Sequence, residues 1–235
     1  MTKHSREFND SRLKALATAV ALAAGLLTAA GAQAQSAGTL MLRGGATEIK
    51  PNVSSGDLSA PSFVGTQIDI RSDTRFAGGV SYMLTDHISI DAPLSLPFKH
   101  DINGAGAIAG VGKIGEVRAL PITLLGQYRF MEATSAFRPY LGAGITYAKF
   151  YKARSTAALS ALTGGTPSDP TTISVKSKFA ATLQLGAAYA LTDRWFVEAD
   201  LTHTFLKTRA TLSTGQTIDA KLDPDSYSIA IGYRF

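Results

Sequence analysis

The stretch from Asp225 to Phe235 reads DSYSIAIGYRF. Successive strand side chains point to opposite faces. Tyr227, Ile229, Ile231, Tyr233 and Phe235 therefore share one face, and Ser226, Ser228, Ala230, Gly232 and Arg234 share the other. Aliphatics flanked by aromatics suit a strand in a bilayer, with acyl chains against the middle and an interface at each end. The small polar face would then turn to a lumen. A soluble sandwich can also carry such a strand, so the decision falls to export and to repetition of the pattern.

Lys3, Arg6, Arg12 and Lys14 precede a small, apolar run from Ala15 to Ala30, and Ala32-Gln33-Ala34 follows. Basic region, apolar region and A-x-A site together read as a secretory signal peptide over 1–34, leaving a mature domain over 35–235. A retained anchor is the alternative, but the run is short and rich in Ala rather than Leu. No later run is long and apolar enough to span as a helix. There is no cysteine, which excludes disulfides and thiolate metal sites. The formal charge of +5 falls to about +3 without the four basic and two acidic residues that precede Gln35. Those charges are scattered, so no nucleic acid is expected as a partner.

The alternation recurs along the chain. Leu40 and Leu42 oppose Met41 and Arg43 in Thr39–Lys50; Phe76, Val80, Tyr82 and Leu84 oppose Arg75, Ala77, Gly79 and Ser81. Ile88, Ile90, Ala92, Leu94, Leu96 and Phe98 oppose Ser89, Asp91, Pro93, Ser95 and Pro97. Comparable strands are read at Val117–Phe130, Phe137–Tyr151, Ser177–Leu191 and Trp195–Lys207. Short links at Thr85–His87, Met131–Ala136 and Thr192–Arg194 alternate with long ones at Pro51–Phe63, Lys99–Glu116, Lys152–Lys176 and Arg209–Pro224, all four read as loops. About eight strands with alternating short and long connections predict an all-β fold, an eight-stranded antiparallel transmembrane β-barrel. Asp91, Arg129, Glu198, Asp200 and Arg234 fall on the inner side. Inside a soluble sandwich such charges would be costly, whereas a hydrated or ion-paired lumen accommodates them. They read as an ion-paired plug, or else as a polar floor beneath a hydrophobic mouth.

The segments LRGGATEIKP, SYMLTDHISIDAPLSLPFKH, VRALPITLLGQYRF and FRPYLGAGITYAKFY, with the terminal GYRF, occur in this order. In that order and spacing the chain resembles the outer-membrane protein W (OmpW) family over nearly all of 35–235. The resemblance implies a small barrel with a narrow, largely hydrophobic lumen in the outer membrane of a Gram-negative cell. It also implies passage of small hydrophobic solutes, with sideways release into the membrane. Bulky apolar residues narrow the family's lumen, and by spacing those positions fall on Pro93 and Phe179. Pro93 departs from a branched aliphatic. The alternation puts Phe179 on the lipid face, where it would be a girdle aromatic unless a bulge turns it inward.

Gly110, Gly112 and Gly115 match G-x-G-x-x-G, but a Gly-rich loop precedes them and a strand containing Pro121 follows, so they read as a flexible loop. His203 and Thr204, near Glu198 and Asp200, are the nearest approach to a lipid-modifying enzyme site, and their parity separates them. No catalytic residue, metal or cofactor is expected. The expected partners are outer-membrane lipids, small hydrophobic solutes and the barrel-assembly machinery, the last through the strand ending in Phe235, with the barrel a monomer. The alternative functions are a structural or receptor barrel with a plugged lumen, and a lipid-modifying outer-membrane enzyme.

Overall fold

The computed structural model describes residues 35–235; the leader expected at 1–34 lies outside the described residues. In chain order the strands are β1 (Leu40–Lys50), β2 (Ser54–Ser55), β3 (Thr66–Ile70), β4 (Asp73–Met83), β5 (Ile88–Ser95), β6 (Phe98–Gly106), β7 (Lys113–Arg129) and β8 (Phe137–Ser155). Helix α1 (Ala157–Thr163) follows, then β9 (Ile173–Val175), β10 (Lys178–Ala190), β11 (Trp195–Thr204), β12 (Lys207–Leu212), β13 (Thr217–Lys221) and β14 (Asp225–Arg234). The ring runs β1, β4, β5, β7, β8, β10, β11, β14 and back to β1, every neighbour antiparallel. It is a closed eight-stranded barrel. Closure pairs the edges that hydrocarbon would leave without hydrogen bonds.

The outward faces are those read from the alternation. Phe76, Leu94, Ile122, Ile145, Leu185 and Ile229 are all well exposed and form a continuous apolar band. Around the short-turn end, Tyr128 and Phe130 meet edge to face, as do Trp195 and Tyr233, and Tyr233 and Phe235. Amphipathic rings gather at such a level because one edge is apolar and the other wet.

The four stretches read as loops are where the structure departs from expectation. Most of Lys99–Glu116 is strand: β6 and the start of β7 pair from Phe98↔Ala119 to Asn103↔Lys113, which leaves a short connection at 107–112 around a turn at Ala109–Val111. The Arg209–Pro224 stretch holds most of the β12–β13 hairpin. Lys152–Lys176 holds the end of β8, α1 and β9, and Pro51–Phe63 holds β2. β2, β13, β12 and β9 form a second four-stranded sheet. These segments are structured because they bury their own apolar side chains: Leu58, Ile102, Ile108, Ile114, Val117, Leu159, Leu212 and Ile218 pack together. Helix α1 is stopped at both ends, by Thr156 accepting from the Leu159 N–H and by Gly164 at φ +84°.

Phe98 is a second departure. It continues the even-numbered apolar series of β5, yet it is buried, whereas Leu94 and Leu96 are exposed. Against β7, β5 is in register as Asp91↔Leu125 and β6 as Phe98↔Ala119, a slip of one residue between them. One extra residue exchanges the two faces. Above Pro97 the apolar side chains of this arm therefore point inward.

Beyond the band, Glu116 receives Lys99 at 2.8 Å and Lys113 at 2.9 Å, and Lys113 also reaches Asp101 at 2.7 Å. The Lys99 ammonium first, then that of Lys113, holds the Glu116 carboxyl down to about 2. A carboxyl with a lowered folded pKa stabilises above its unfolded value of 4.5, and that contribution is lost as pH falls from 4.5 toward 2. The carboxyl is half-buried at the surface, so the effect is local and partly screened by salt. Amide protection in the β6–β7 extension should drop between pH 5 and pH 2 (roughly the span of that titration), and Glu116→Gln should remove the drop.

Candidate functional site

The barrel interior is tiered. At the short-turn end the Arg43 guanidinium bonds both oxygens of Asp91, at 2.7 and 2.9 Å, and approaches Glu198 at 3.2 Å. Arg129 reaches the other Glu198 oxygen at 3.7 Å and lies 4.6 Å from the Tyr140 ring centre. Asp91 and Arg129 are 0% exposed. The Tyr140 ring fills the space over Gly186, where even a Cβ would lie 2.4 Å from it. Arg234 packs over the Phe196 ring at 5.3 Å. Asp200 stands one level higher and accepts from Gln184, which in turn accepts from Gln127. The five inner charges read from parity are thus inside, four of them in the floor.

The alternation marks no role for three floor residues. Arg43 faces inward by parity and is the cation that Asp91 and Glu198 share. Arg138 donates to the backbone carbonyls of Phe130, Gln35, Asp86 and Met131, tying three segments of the short-turn end. Gln35 is itself buried there, its side chain accepting from Arg129 at 3.3 Å. Register and turn geometry decide these contacts, and alternation carries no signal for them.

Above the floor, Thr123, Thr146, Thr182 and Thr204 form a hydroxyl ladder across four strands at 2.8, 2.6 and 3.2 Å. Thr47 and Ser228 bond across β1 and β14 at 3.0 Å. Higher still the lining turns apolar, with Phe98, Val117, Ala119, Phe150, Leu206 and Leu222 around a cavity of about 140 Å³.

The wall beside this cavity is incomplete. Between Asp91↔Leu125 and Phe98↔Ala119, β5 and β7 have no paired residues. Hydrogen bonding alternates along an antiparallel strand, and Arg129 N–H donates to His87 while Leu96 N–H donates to Phe76. Odd-numbered groups of β5 and β7 thus face each other across this seam. Pro93 and Pro121 are both odd and lack an N–H, and Pro97, just past the end of β5, lacks one at the register slip. The missing donors on the facing edges leave the ladder unmade. Pro93 does line the cavity, at this seam. Phe179 does not: it is 75% exposed and lies 4.7 Å from Tyr147 on the outer surface, so no bulge turns it inward and it narrows no lumen.

The other candidates stay apart. His203 bonds Asp225 at 2.7 Å and packs on Phe205, whereas Thr204 turns inward to Thr182. The catalytic pairing that an enzyme would need is not made there. Gly110 and Gly112 lie in the turn before β7, and a strand follows them rather than a helix.

A closed barrel with an apolar belt, a charged floor and no membrane-spanning helix among the described residues is an outer-membrane barrel protein. The profile of the OmpW family matches residues 36–235, and the chain belongs to that family. It is 31% identical to outer membrane protein W of Vibrio cholerae over 213 residues, covering 89% of this chain and 94% of that one. The crystal structure of OprG from Pseudomonas aeruginosa superposes with a TM-score of 0.78 at 28% identity, covering 87% of this chain and 99% of that one. The dibenzothiophene metabolism operon protein PahQ of Pseudomonas aeruginosa is 26% identical over 174 residues, 73% of this chain and 76% of that one.

Proposed function

We propose that the barrel is a passive conduit for small apolar molecules, which enter from the long-loop side and leave sideways through the β5–β7 seam. The observation that carries this reading is the cavity itself. It is apolar above, shut below by paired charges, and reaches Pro93, Leu94 and Ser95 along the stretch of wall where the ladder is open. An ion would meet no continuous wet path, because intramembrane charges that pair with one another leave no free field for it. An apolar solute needs neither a catalyst nor a cofactor here. It needs a shaped, poorly hydrated space and an outlet into hydrocarbon. The name of PahQ ties that relative to metabolism of an aromatic thioether, the same solute class.

Ala119→Trp tests this, because the indole would occupy the upper cavity without touching the floor. In cells whose outer leaflet slows apolar dyes, N-phenylnaphthylamine uptake should fall to that of cells lacking the protein, with the variant still folded in the membrane. Unchanged uptake would favour the plugged receptor barrel, for which the structured outer segments are the supporting feature.

A further inference from the structure

Where the barrel meets the outer sheet, Lys178 of β10 joins Lys176, Lys207 and Lys221 in lining one open groove, beside Arg209 and Asp219. Lys207 stands directly opposite Lys221 in the β12–β13 register. Like charges facing each other across strands are destabilising. Lys221 reaches Asp223 at 2.9 Å and Arg209 reaches Asp219 at 2.7 Å, but Lys176, Lys178 and Lys207 make no ion pair among the described residues. Elsewhere beyond the band the arrangement differs, since Lys99 and Lys113 share Glu116 and Asp101.

The height of the groove is informative. Leu201, His203, Phe205 and Lys207 follow one another at every second residue, and Phe205 is 51% exposed. Lys207 is therefore about 7 Å past the last outward aromatic, as expected for two residues of strand. On β8 the same step leads from Tyr147 to Lys149. On the neighbouring strand β14 the step from Tyr227 leads to Asp225, which is already held by His203. Below the groove, Phe179, Leu183, Leu185 and Leu201 offer an exposed apolar surface. The surface is amphipathic in one direction: apolar where acyl chains lie, cationic where headgroups begin.

We propose that this groove binds the phosphate groups of an outer-leaflet phosphoglycolipid, whose acyl chains lie along Leu183 and Leu201. The level of the lysines selects the lipid over a free anion, because a soluble phosphate would have no need of the apolar strip beneath. The inference depends on the barrel's placement in the bilayer and not on the conduit reading.

The test uses the full-length protein in non-ionic detergent, titrated with bis-phosphorylated lipid A and followed by native mass spectrometry. Lys178→Gln/Lys207→Gln should weaken binding roughly 25-fold, at about fivefold for each lysine near a charged lipid surface. Lys113→Gln, whose lysine belongs to the Glu116 network, should bind as wild type. Circular dichroism should show both variants folded. The proposal is overturned if the double variant binds lipid A unchanged, if lipid A stripped of its phosphates binds equally well, or if inorganic phosphate alone displaces the lipid.

Discussion

Arg43→Met should destabilise the barrel by about 3–5 kcal/mol, the usual cost of leaving a buried charge without its partner. Arg43 is the cation between Asp91 and Glu198, and the side chains of all three are at most 5% exposed. Met keeps most of the volume but leaves two carboxylates facing each other out of water. Arg129 is too far from Asp91's position in the network to replace it; its nearest acid is Glu198, at 3.7 Å. Arg43→Lys should fall between, since an ammonium cannot bond both Asp91 oxygens and reach Glu198 as a planar fork does. Arg43→Met combined with Asp91→Asn should recover most of the loss, because it removes one carboxylate with its cation and leaves Glu198 beside Arg129. Urea unfolding in lipid vesicles, read by the mobility difference between folded and unfolded barrel, measures all of these. Equal midpoints for wild type and Arg43→Met would remove the ion-paired floor from the account.

Replacing Pro93, Pro97 and Pro121 with Ala should have the opposite sign on stability and a large effect on transport. Ala at 93 and 121 restores N–H groups on the edges facing the seam, Ala at 97 restores one at the slip, and each new ladder bond contributes about 1 kcal/mol. The triple variant should therefore unfold at higher urea than wild type. Its uptake of N-phenylnaphthylamine should drop to the level of cells without the protein, because the outlet has been closed. Gain of stability with loss of uptake separates a closed outlet from a damaged barrel, in which both would fall.

The sequence carried the membrane-facing half of this structure almost completely. In β14, β11 and β10 the alternation alone orients every side chain, because a lipid-facing strand must be apolar on one side and a lumen tolerates polarity on the other. Asp91, Arg129, Glu198, Asp200 and Arg234 were legible for the same reason. Their partners were not, since Arg43 meets Asp91 only through the register of β1, β4 and β5. The break above Leu96 was hidden by its own pattern. Leu94, Leu96 and Phe98 keep period two in sequence, whereas the extra residue inserted around Pro97 turns Phe98 inward. The outer segments misled through composition. Gly, Ser and Thr suggested loops, yet isolated aliphatics such as Leu58, Ile108 and Leu212, far apart in the chain, assemble a core that no local window contains. Family spacing points to Phe179 as a narrowing residue, whereas plain alternation puts it on the lipid face, where it lies.

In the proposed conduit the interior is closed to ions along its axis while its upper part accepts apolar molecules from outside. Planar-bilayer recording on the purified wild-type protein, paired with N-phenylnaphthylamine uptake by cells that carry it, separates this from an open pore. The expected outcome is no steady ionic conductance from a protein that speeds dye uptake. A stable ohmic channel, with dye uptake no faster than in cells lacking the protein, would show the barrel to be an ion pore instead.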